Sequence, residues 1–412
     1  MTDLLRVDGQ RLWNAIMEVA RVDATARGGC NRQALTDGDG VVRRLFRDWC
    51  EQAGLTVRVD EMGNMFARRR GVDSAAPPVI AGSHLDTQRT GGKFDGVYGV
   101  LAALEVIRTL NDADLQTDAP LEVVNWTNEE GARFSPAMIG SGVWSGQFDL
   151  EYGRSREDKE GVTIGQELTR LGFAGTTPCR PFPIRAAFEL HIEQGPVLEN
   201  EGAAVGVVTG VQGMRWYDVT LVGNPVHAGT TPMEVRRDPF MGLHRILARL
   251  YQLGADHSPA ARVTFGDLIV SPGSRNTVPE ELTLAIDLRH PDESELELMD
   301  ERMRTLVEEE AGRCGLESRI LDEWQSSAVE FDPDCVGAVR GAAEMLGYDY
   351  RDIVSGAGHD AVYVSQAAPT SMIFVPCAGG VSHNELEDAS PADLEAGCNV
   401  LLHAMIQRAS AV

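Results

Sequence analysis

The order of the elements predicted between residues 214 and 323 constrains the fold more than any other feature of the chain. Hydrophobic periodicity in this stretch predicts a strand, a helix, two strands, a second helix and a last strand. These elements lie at Trp216–Val222, 238–253, 262–270, 281–289, 293–313 and 317–322. The order β-α-β-β-α-β is typical of the split βαβ sandwich, a self-contained unit.

Short apolar runs and helical patterns alternate on both sides of this unit, as they do in an α/β domain. The length of 412 residues fits two domains of about 100–200 residues each. We therefore predict a larger α/β domain with a central mixed sheet in residues 1–212 and 326–412. A smaller, ferredoxin-like α+β domain is inserted at residues 213–325. The predicted strands of the larger domain lie near 78–83, 121–127, 187–192 and 371–375, and its helices near 9–20, 40–53, 96–110, 333–346 and 391–409.

The charge and the cysteines limit the class of partner and the compartment. The chain has 37 Lys and Arg against 62 Asp and Glu, a formal net charge of −25, which argues against nucleic acid or an anionic membrane surface as the main partner. No apolar run reaches the roughly 18–20 residues of a membrane helix, and the N-terminus lacks a signal-peptide core. Seven scattered cysteines without a CxxC motif are typical of reduced thiols. We expect a cytoplasmic protein that acts on a small molecule.

His84 and Asp86 follow directly after the buried strand predicted at 78–83. The end of such a strand faces the ligand crevice of an open α/β sheet. If the strand geometry persists, both side chains point to one side, and Asp86 can orient the imidazole of His84 as a metal ligand. The alternative is a capped turn with a surface histidine.

Two more acidic positions follow the same pattern. Asp95 lies between glycines just before a predicted apolar helix, where it binds a metal ion or simply caps the helix. Glu129 and Glu130 follow the strand at 121–127. Adjacent carboxylates at a buried strand end are costly without a cation between them. One can bind a divalent metal while the other acts as general base on water, although a solvated acidic turn remains the alternative.

His191 ends another predicted strand, and His383 lies in a late glycine-containing loop. Each histidine alone is more often structural. Histidines and carboxylates on several loops after strands are together what a di-metal hydrolase requires.

These motifs, in this order and spacing, resemble the M20 family of di-metal amidohydrolases and peptidases. The resemblance is closer still to its carbamoylase branch: N-carbamoyl-L-amino-acid hydrolases, β-ureidopropionases and allantoate amidohydrolases. It spans about residues 10 to 405 and is carried by GSHLDTQRTGGKFDGVYGV, NWTNEEGARF, ELHIEQGPVLE, HAGTTPM, SRNTVPEELTLAIDLR, SGAGHDA and GGVSHNE. Peptidase members tend to have an acidic residue at the position of His191, which points away from peptide substrates. The Thr87-Gln88 pair looks most like L-carbamoylases.

The resemblance implies a metal site in the larger domain. His84 and His191 would bind one metal ion, Glu130 and His383 a second, and Asp95 would bridge the two. The ions would be zinc, manganese, cobalt or nickel.

The resemblance also implies the remaining roles. Glu129 would be the general base, Asp86 the orienting residue, and His227 would bind the reacting oxygen. The residues implied to contact the substrate, chiefly its carboxylate, are Gln194, Asn276, Arg289 and Gly358. Arg289 also suits a carboxylate by its planar fork. Alternatively, Arg289 forms only a salt bridge to Asp287 or Asp292. The alternative for His227 is a purely structural histidine in a turn.

The function implied is metal-dependent hydrolysis of the ureido C–N bond of N-carbamoyl-L-amino acids to amino acid, ammonia and carbon dioxide. A β-ureidopropionase or an allantoate amidohydrolase would use the same machinery. The substrates of these enzymes differ in the distance between the ureido carbon and the carboxylate, and the sequence does not show which distance the site accepts. The alternative from another class is a non-catalytic metal-binding dimer. Replacement of Glu129 or of a metal-binding residue would favour it, but all these residues are present. We expect a homodimer through the inserted domain, which would also close over the substrate.

Overall fold

The structure of the protein is a computed structural model, and it describes residues 4–410. The helices are α1 (Gly9–Val19), α2 (Asp37–Gln52), α3 (Val97–Asp112), α4 (Ile139–Ser145), α5 (Leu150–Arg154), α6 (Ile164–Leu171), α7 (Val197–Glu201), α8 (Pro239–Asp256), α9 (Glu293–Arg313), α10 (Pro333–Leu346), α11 (Asp360–Val364) and α12 (Pro391–Ala409). The strands are β1 (Thr56–Val59), β2 (Met65–Arg69), β3 (Val79–His84), β4 (Leu121–Trp126), β5 (Ala186–Ile192), β6 (Val205–Val211), β7 (Gly213–Val222), β8 (Arg262–Ser271), β9 (Glu281–His290), β10 (Glu317–Ser326), β11 (Val329–Glu330), β12 (Tyr350–Ser355) and β13 (Thr370–Val375).

The chain forms two compact units. Of the described residues, the first contains 4–210 and 331–410, and the second contains Val211–Glu330. Val329 and Glu330 form β11, which belongs to the sheet of the first unit, so the sheet of the second unit ends before these residues. Its last long strand, β10, continues to Ser326, past the point where we expected the chain to leave it.

The first unit is built on a mixed sheet of the order β1-β2-β4-β3-β5-β13-β6-β11, with β12 also paired to β6. β3 runs parallel to β4 and β5, and β13 runs parallel to β5. Every residue of these four strands is buried, as expected for parallel strands covered on both faces. The predicted α/β fold with a central mixed sheet is confirmed.

The second unit has the predicted β-α-β-β-α-β order. Its sheet has the strand order β10-β7-β9-β8, and every neighbouring pair is antiparallel. Alternate residues of β9 are buried, because one face packs on α8 and α9. The predicted ferredoxin-like fold of this unit is confirmed.

The parallel strands β3, β5 and β13 end at one edge of the first sheet. Residues at such an edge meet in the ligand crevice of an open α/β sheet. None of the helices within residues 4–410 is long and apolar enough to cross a membrane.

Candidate metal centre

Two buried histidines lie at the ends of neighbouring strands, His84 on β3 and His191 on β5. The Nδ1 of His84 lies 2.9 Å from the main-chain oxygen of Asp86, and that of His191 lies 2.9 Å from the oxygen of Ile192. A carbonyl oxygen only accepts, so each Nδ1 carries the proton. In the neutral ring the lone pair is then on Nε2, which is the form that binds a metal ion. The Nε2 of His191 accepts the backbone N–H of Gly96 at 3.0 Å.

Asp95 lies between these histidines and a third one. Its Oδ1 is 3.1 Å from the Nε2 of His191 and 3.4 Å from that of His84, and its Oδ2 is 3.5 Å from the Nε2 of His383. The next residue, Gly96, begins α3 with φ 65°, and a Cβ there would lie 2.3 Å from the ring of His84. Only glycine permits this close approach.

The ligand atoms form two groups that share Asp95. One comprises His84, Asp95 and His191, and the other comprises Asp95, Glu130 and His383, whose Nε2 lies 3.3 Å from the Oε2 of Glu130. Imidazole and carboxylate donors suit zinc, manganese, cobalt and nickel. The Nε2 of His84 is buried and has no hydrogen-bond partner among the described residues, so the donor set fits divalent metal ions.

The charges of the cluster favour a cation. Burial raises the pKa of Glu129 and of Glu130 well above the usual range. Burial opposes ionisation of Asp95 too, but the neighbouring His191 and His84 together hold its pKa well below the usual range. Several carboxylates held in one buried cluster are stabilised by a bound cation.

Asp86 does not orient His84 through its carboxylate as we expected. That carboxylate lies 4.0 Å from the Nδ1 of His84, whose proton goes to the main-chain oxygen of Asp86. β3 ends at His84, so Asp86 lies beyond the strand whose side-chain alternation the prediction extended. The carboxylate instead accepts the backbone N–H groups of Glu129 and Glu130 at 3.3 Å each.

Glu129 lies beside the two ligand groups. Its side chain is 9% exposed, and its Oε2 lies 3.4 Å from the Nε2 of His84. Because burial raises its pKa, it is more basic than a surface carboxylate and better suited to take a proton near neutral pH.

Two supporting residues were not predicted as part of the site. Gln88 donates from its backbone N–H and its amide to the two carboxylate oxygens of Glu130, at 3.0 and 2.8 Å. Glu387 accepts from the backbone N–H groups of Phe94 and Asp95, at 3.0 and 3.1 Å. Gln88 lies inside a segment that carries the family resemblance, and Glu387 lies just after another, but a single sequence contains no signal for these contacts.

Gln194 and Gly358 both lie beside the cluster. Gln194 donates its amide to the Oδ2 of Asp95 at 2.8 Å, so it contacts the residue that the two candidate ligand groups share. Gly358 precedes His359, whose buried ring lies 4.6 Å, centroid to centroid, from that of His191.

The second unit carries His227, Asn276 and Arg289. The backbone of His227 pairs with Thr277, and the N–H of Ala228 donates to the oxygen of Asn276 at 2.8 Å. His227 and Asn276 are therefore neighbours, in the segments that precede α8 and join β8 to β9.

Arg289 lies at the opposite end of β9. The steps from Glu281 to Arg289 span roughly 26 Å, at about 3.3 Å per residue. Its guanidinium pairs with Asp287, with an Nη2–Oδ2 distance of 2.8 Å, which is the alternative contact considered above. We expected Asn276 and Arg289 to hold one carboxylate together; within one unit they are too far apart.

Comparisons with known proteins agree on one family. The family model described as Peptidase family M20/M25/M40 matches residues 80–407. An N-carbamoyl-L-amino-acid amidohydrolase from Rhizobium meliloti is 47% identical over 407 residues, covering 99% of this chain and 98% of that protein. An allantoate amidohydrolase from Bacillus subtilis is 34% identical, covering 93% of each protein. The crystal structure of an amidase of the hydantoinase/carbamoylase family from Burkholderia multivorans matches with a TM-score of 0.96 at 55% identity, covering 99% of each chain.

Proposed function

The chain belongs to the peptidase family M20/M25/M40, as its motifs indicated, and from this premise we propose that it hydrolyses N-carbamoyl-L-amino acids. It is an amidohydrolase of a family that uses divalent metal ions. The observation that carries the proposal is the pair of ligand groups sharing Asp95, with Glu129 beside them. The relative from Rhizobium meliloti, at 47% identity over almost its whole length, favours this substrate over allantoate, whose named amidohydrolase is 34% identical.

The residues of the first unit divide the chemical work. His84, His191, Asp95, Glu130 and His383 would hold two divalent metal ions, which when bound supply Lewis-acid activation. Glu129 would take a proton from the attacking water and return it to the nitrogen that leaves the ureido carbon. The bond between that carbon and the amino-acid nitrogen breaks. The amino acid is released with carbamate, which decomposes to ammonia and carbon dioxide.

The residues of the second unit would bind the substrate. We propose that His227 donates a hydrogen bond to the carbonyl oxygen as negative charge develops on it. Arg289 would hold the carboxylate, since its planar fork matches both oxygens. Gln194 and the backbone at Gly358, in the first unit, would complete the pocket, with Asn276 beside His227.

We propose that the protein is a homodimer joined through the second unit. The length of β9 supports this proposal, because a small substrate cannot contact His227 and Arg289 of the same copy. Mixing His227→Ala subunits with Glu129→Gln subunits tests it. If His227 acts across the dimer, each mixed dimer has one intact site and activity partly returns. No return of activity after subunit exchange would show that His227 acts within its own chain, and a monomer by sedimentation at assay concentration would contradict the dimer.

We also propose a cytoplasmic location. All seven cysteines are free thiols in the described structure, which suits a reducing compartment.

A substrate panel tests the proposed function. The protein is reconstituted separately with zinc, manganese, cobalt and nickel, and kcat/KM is measured for N-carbamoyl-L- and D-amino acids, N-carbamoyl-β-alanine and allantoate. We expect the N-carbamoyl-L-amino acids to be the best substrates and chelation to abolish turnover reversibly. A clear preference for N-carbamoyl-β-alanine or allantoate would assign one of the sister activities. No turnover of any of these with any metal would favour the non-catalytic alternative.

A further inference from the structure

We infer that the turn after His227 selects the tautomer of this histidine that carries its proton on Nε2, and that Arg236 is the positioning residue that holds the turn. The catalytic meaning of this inference rests on the proposed function, in which His227 contacts the reacting oxygen. The protonation pattern itself follows from the geometry of the second unit alone.

Two backbone N–H groups point at the Nδ1 of His227. Gly229 donates to it at 3.0 Å and Thr230 at 3.3 Å. An N–H can only donate, so Nδ1 must present its lone pair and the ring proton must be on Nε2. A doubly protonated ring would lose both contacts.

This pattern is opposite to that of the metal-site histidines. His84 and His191 carry the proton on Nδ1 and present Nε2 as a lone pair. His227 presents an Nε2–H group from an exposed side chain. Its Nε2–H group can therefore donate a hydrogen bond to an oxygen. The ring is poorly placed to act as a base, because Nδ1 already accepts two backbone N–H groups.

Arg236 holds the turn in the shape that these contacts need. Its Nη2 donates to the main-chain oxygens of Ala228 and Thr231, at 2.6 and 2.7 Å, and its Nε donates to the oxygen of Thr231 at 3.0 Å. One planar side chain therefore clamps both ends of the segment that contributes the two N–H groups. Lysine cannot reproduce this fork of donors.

The rest of the surroundings fixes the start of the turn. The backbone of His227 pairs with Thr277, and the N–H of Ala228 donates to the oxygen of Asn276. Arg236 is thus the side chain on which the orientation of the Gly229 and Thr230 N–H groups depends.

Nitrogen-15 NMR of the full-length protein labelled in histidine tests the protonation pattern directly. Spectra are recorded near pH 8.5, about two units above the usual histidine pKa, and His227→Gln identifies the signal. We expect a protonated Nε2 and an unprotonated Nδ1. A proton on Nδ1 would overturn the inference and leave the proposed function standing.

Arg236→Met tests the clamp, with Arg237→Met as the matched control. Arg237 is the exposed neighbour, so its loss removes the same charge without touching the turn. We expect the His227 signal of Arg236→Met to show exchange between the two protonation patterns, and that of Arg237→Met to be unchanged. Arg236→Lys is the second variant, for use if the methionine variant does not fold. An unperturbed His227 signal in the folded Arg236 variant would remove Arg236 from the account.

Kinetics separate a donor from a base. The amide nitrogen of glutamine reaches about as far as Nε2, whereas that of asparagine reaches only as far as Nδ1. Loss of one donor to a developing oxyanion lowers kcat by about 10²–10³-fold. We expect this loss for His227→Asn, a clearly smaller one for His227→Gln, and at least roughly tenfold for Arg236→Met, with KM little changed. Equal losses for Asn and Gln would contradict the donor role, even where the substrate panel succeeds.

Discussion

Glu129→Gln removes the proposed general base while leaving the side chain nearly the same size. The side chain lies 3.4 Å from the Nε2 of His84 and is 9% exposed, so the isosteric amide should be accommodated without repacking. General-base catalysis is worth about 10²–10⁴-fold in rate, or about 3–5 kcal/mol of the activation barrier. We expect kcat to fall by at least this factor and KM to change little.

Glu130→Gln is the matched control, because it changes the adjacent residue in the same loop. Its carboxylate contacts His383 rather than His84, so it should weaken metal binding at the second group. Metal content by elemental analysis and steady-state rates would be measured for both variants. Near wild-type kcat in fully metal-loaded Glu129→Gln would refute the assignment and make Glu130 the first candidate for the base.

Three further changes test other parts of the structure. Burial raises the pKa of Asp60 to about 6 from 3.8, so its stabilising contribution is complete below about pH 4 and is lost as the pH rises through 6. Compared with Asp60→Asn, the wild-type unfolding free energy should therefore fall by up to about 3 kcal/mol across this window, and parallel pH profiles would contradict this. Glu387→Ala removes the acceptor of the N–H of Asp95 and should weaken metal affinity by about 10–100-fold in a competitive chelator titration; unchanged affinity would show that the contact does not matter. Arg289→Lys keeps the charge but loses the bidentate fork, so kcat/KM should fall, and carboxamide analogues of the substrate should be penalised less than in the wild type.

The β-α-β-β-α-β order of the second unit was predictable because its helices and strands are long and strongly periodic. The strands β3, β4, β5 and β13 of the central sheet were predicted from their apolar runs, whereas β6 was not, although all its residues are apolar or small. β1, β2 and β12 were not predicted, since each is short and includes arginine. Their strand conformation comes from pairing with neighbours in the sheet rather than from a local pattern.

Site residues were predictable where the residue type itself indicates metal binding. They were not predictable where the role of a side chain depends on its contact with a backbone group. His84, Asp95, Glu130, His191 and His383 stood out by type and motif, and the structure brings them together. The partner of Asp86 depends on how the chain turns after His84, which no spacing rule gives. Glu387 reaches backbone groups almost three hundred residues earlier in the chain, a pairing that only the folded sheet creates.

The shared position of Asp95 is the central claim, and anomalous X-ray diffraction from crystals grown with zinc or manganese tests it most directly. We predict two metal peaks about 3.5–4 Å apart, one within His84, Asp95 and His191 and the other within Asp95, Glu130 and His383. A single peak at full metal loading, or peaks away from Asp95, would contradict the account.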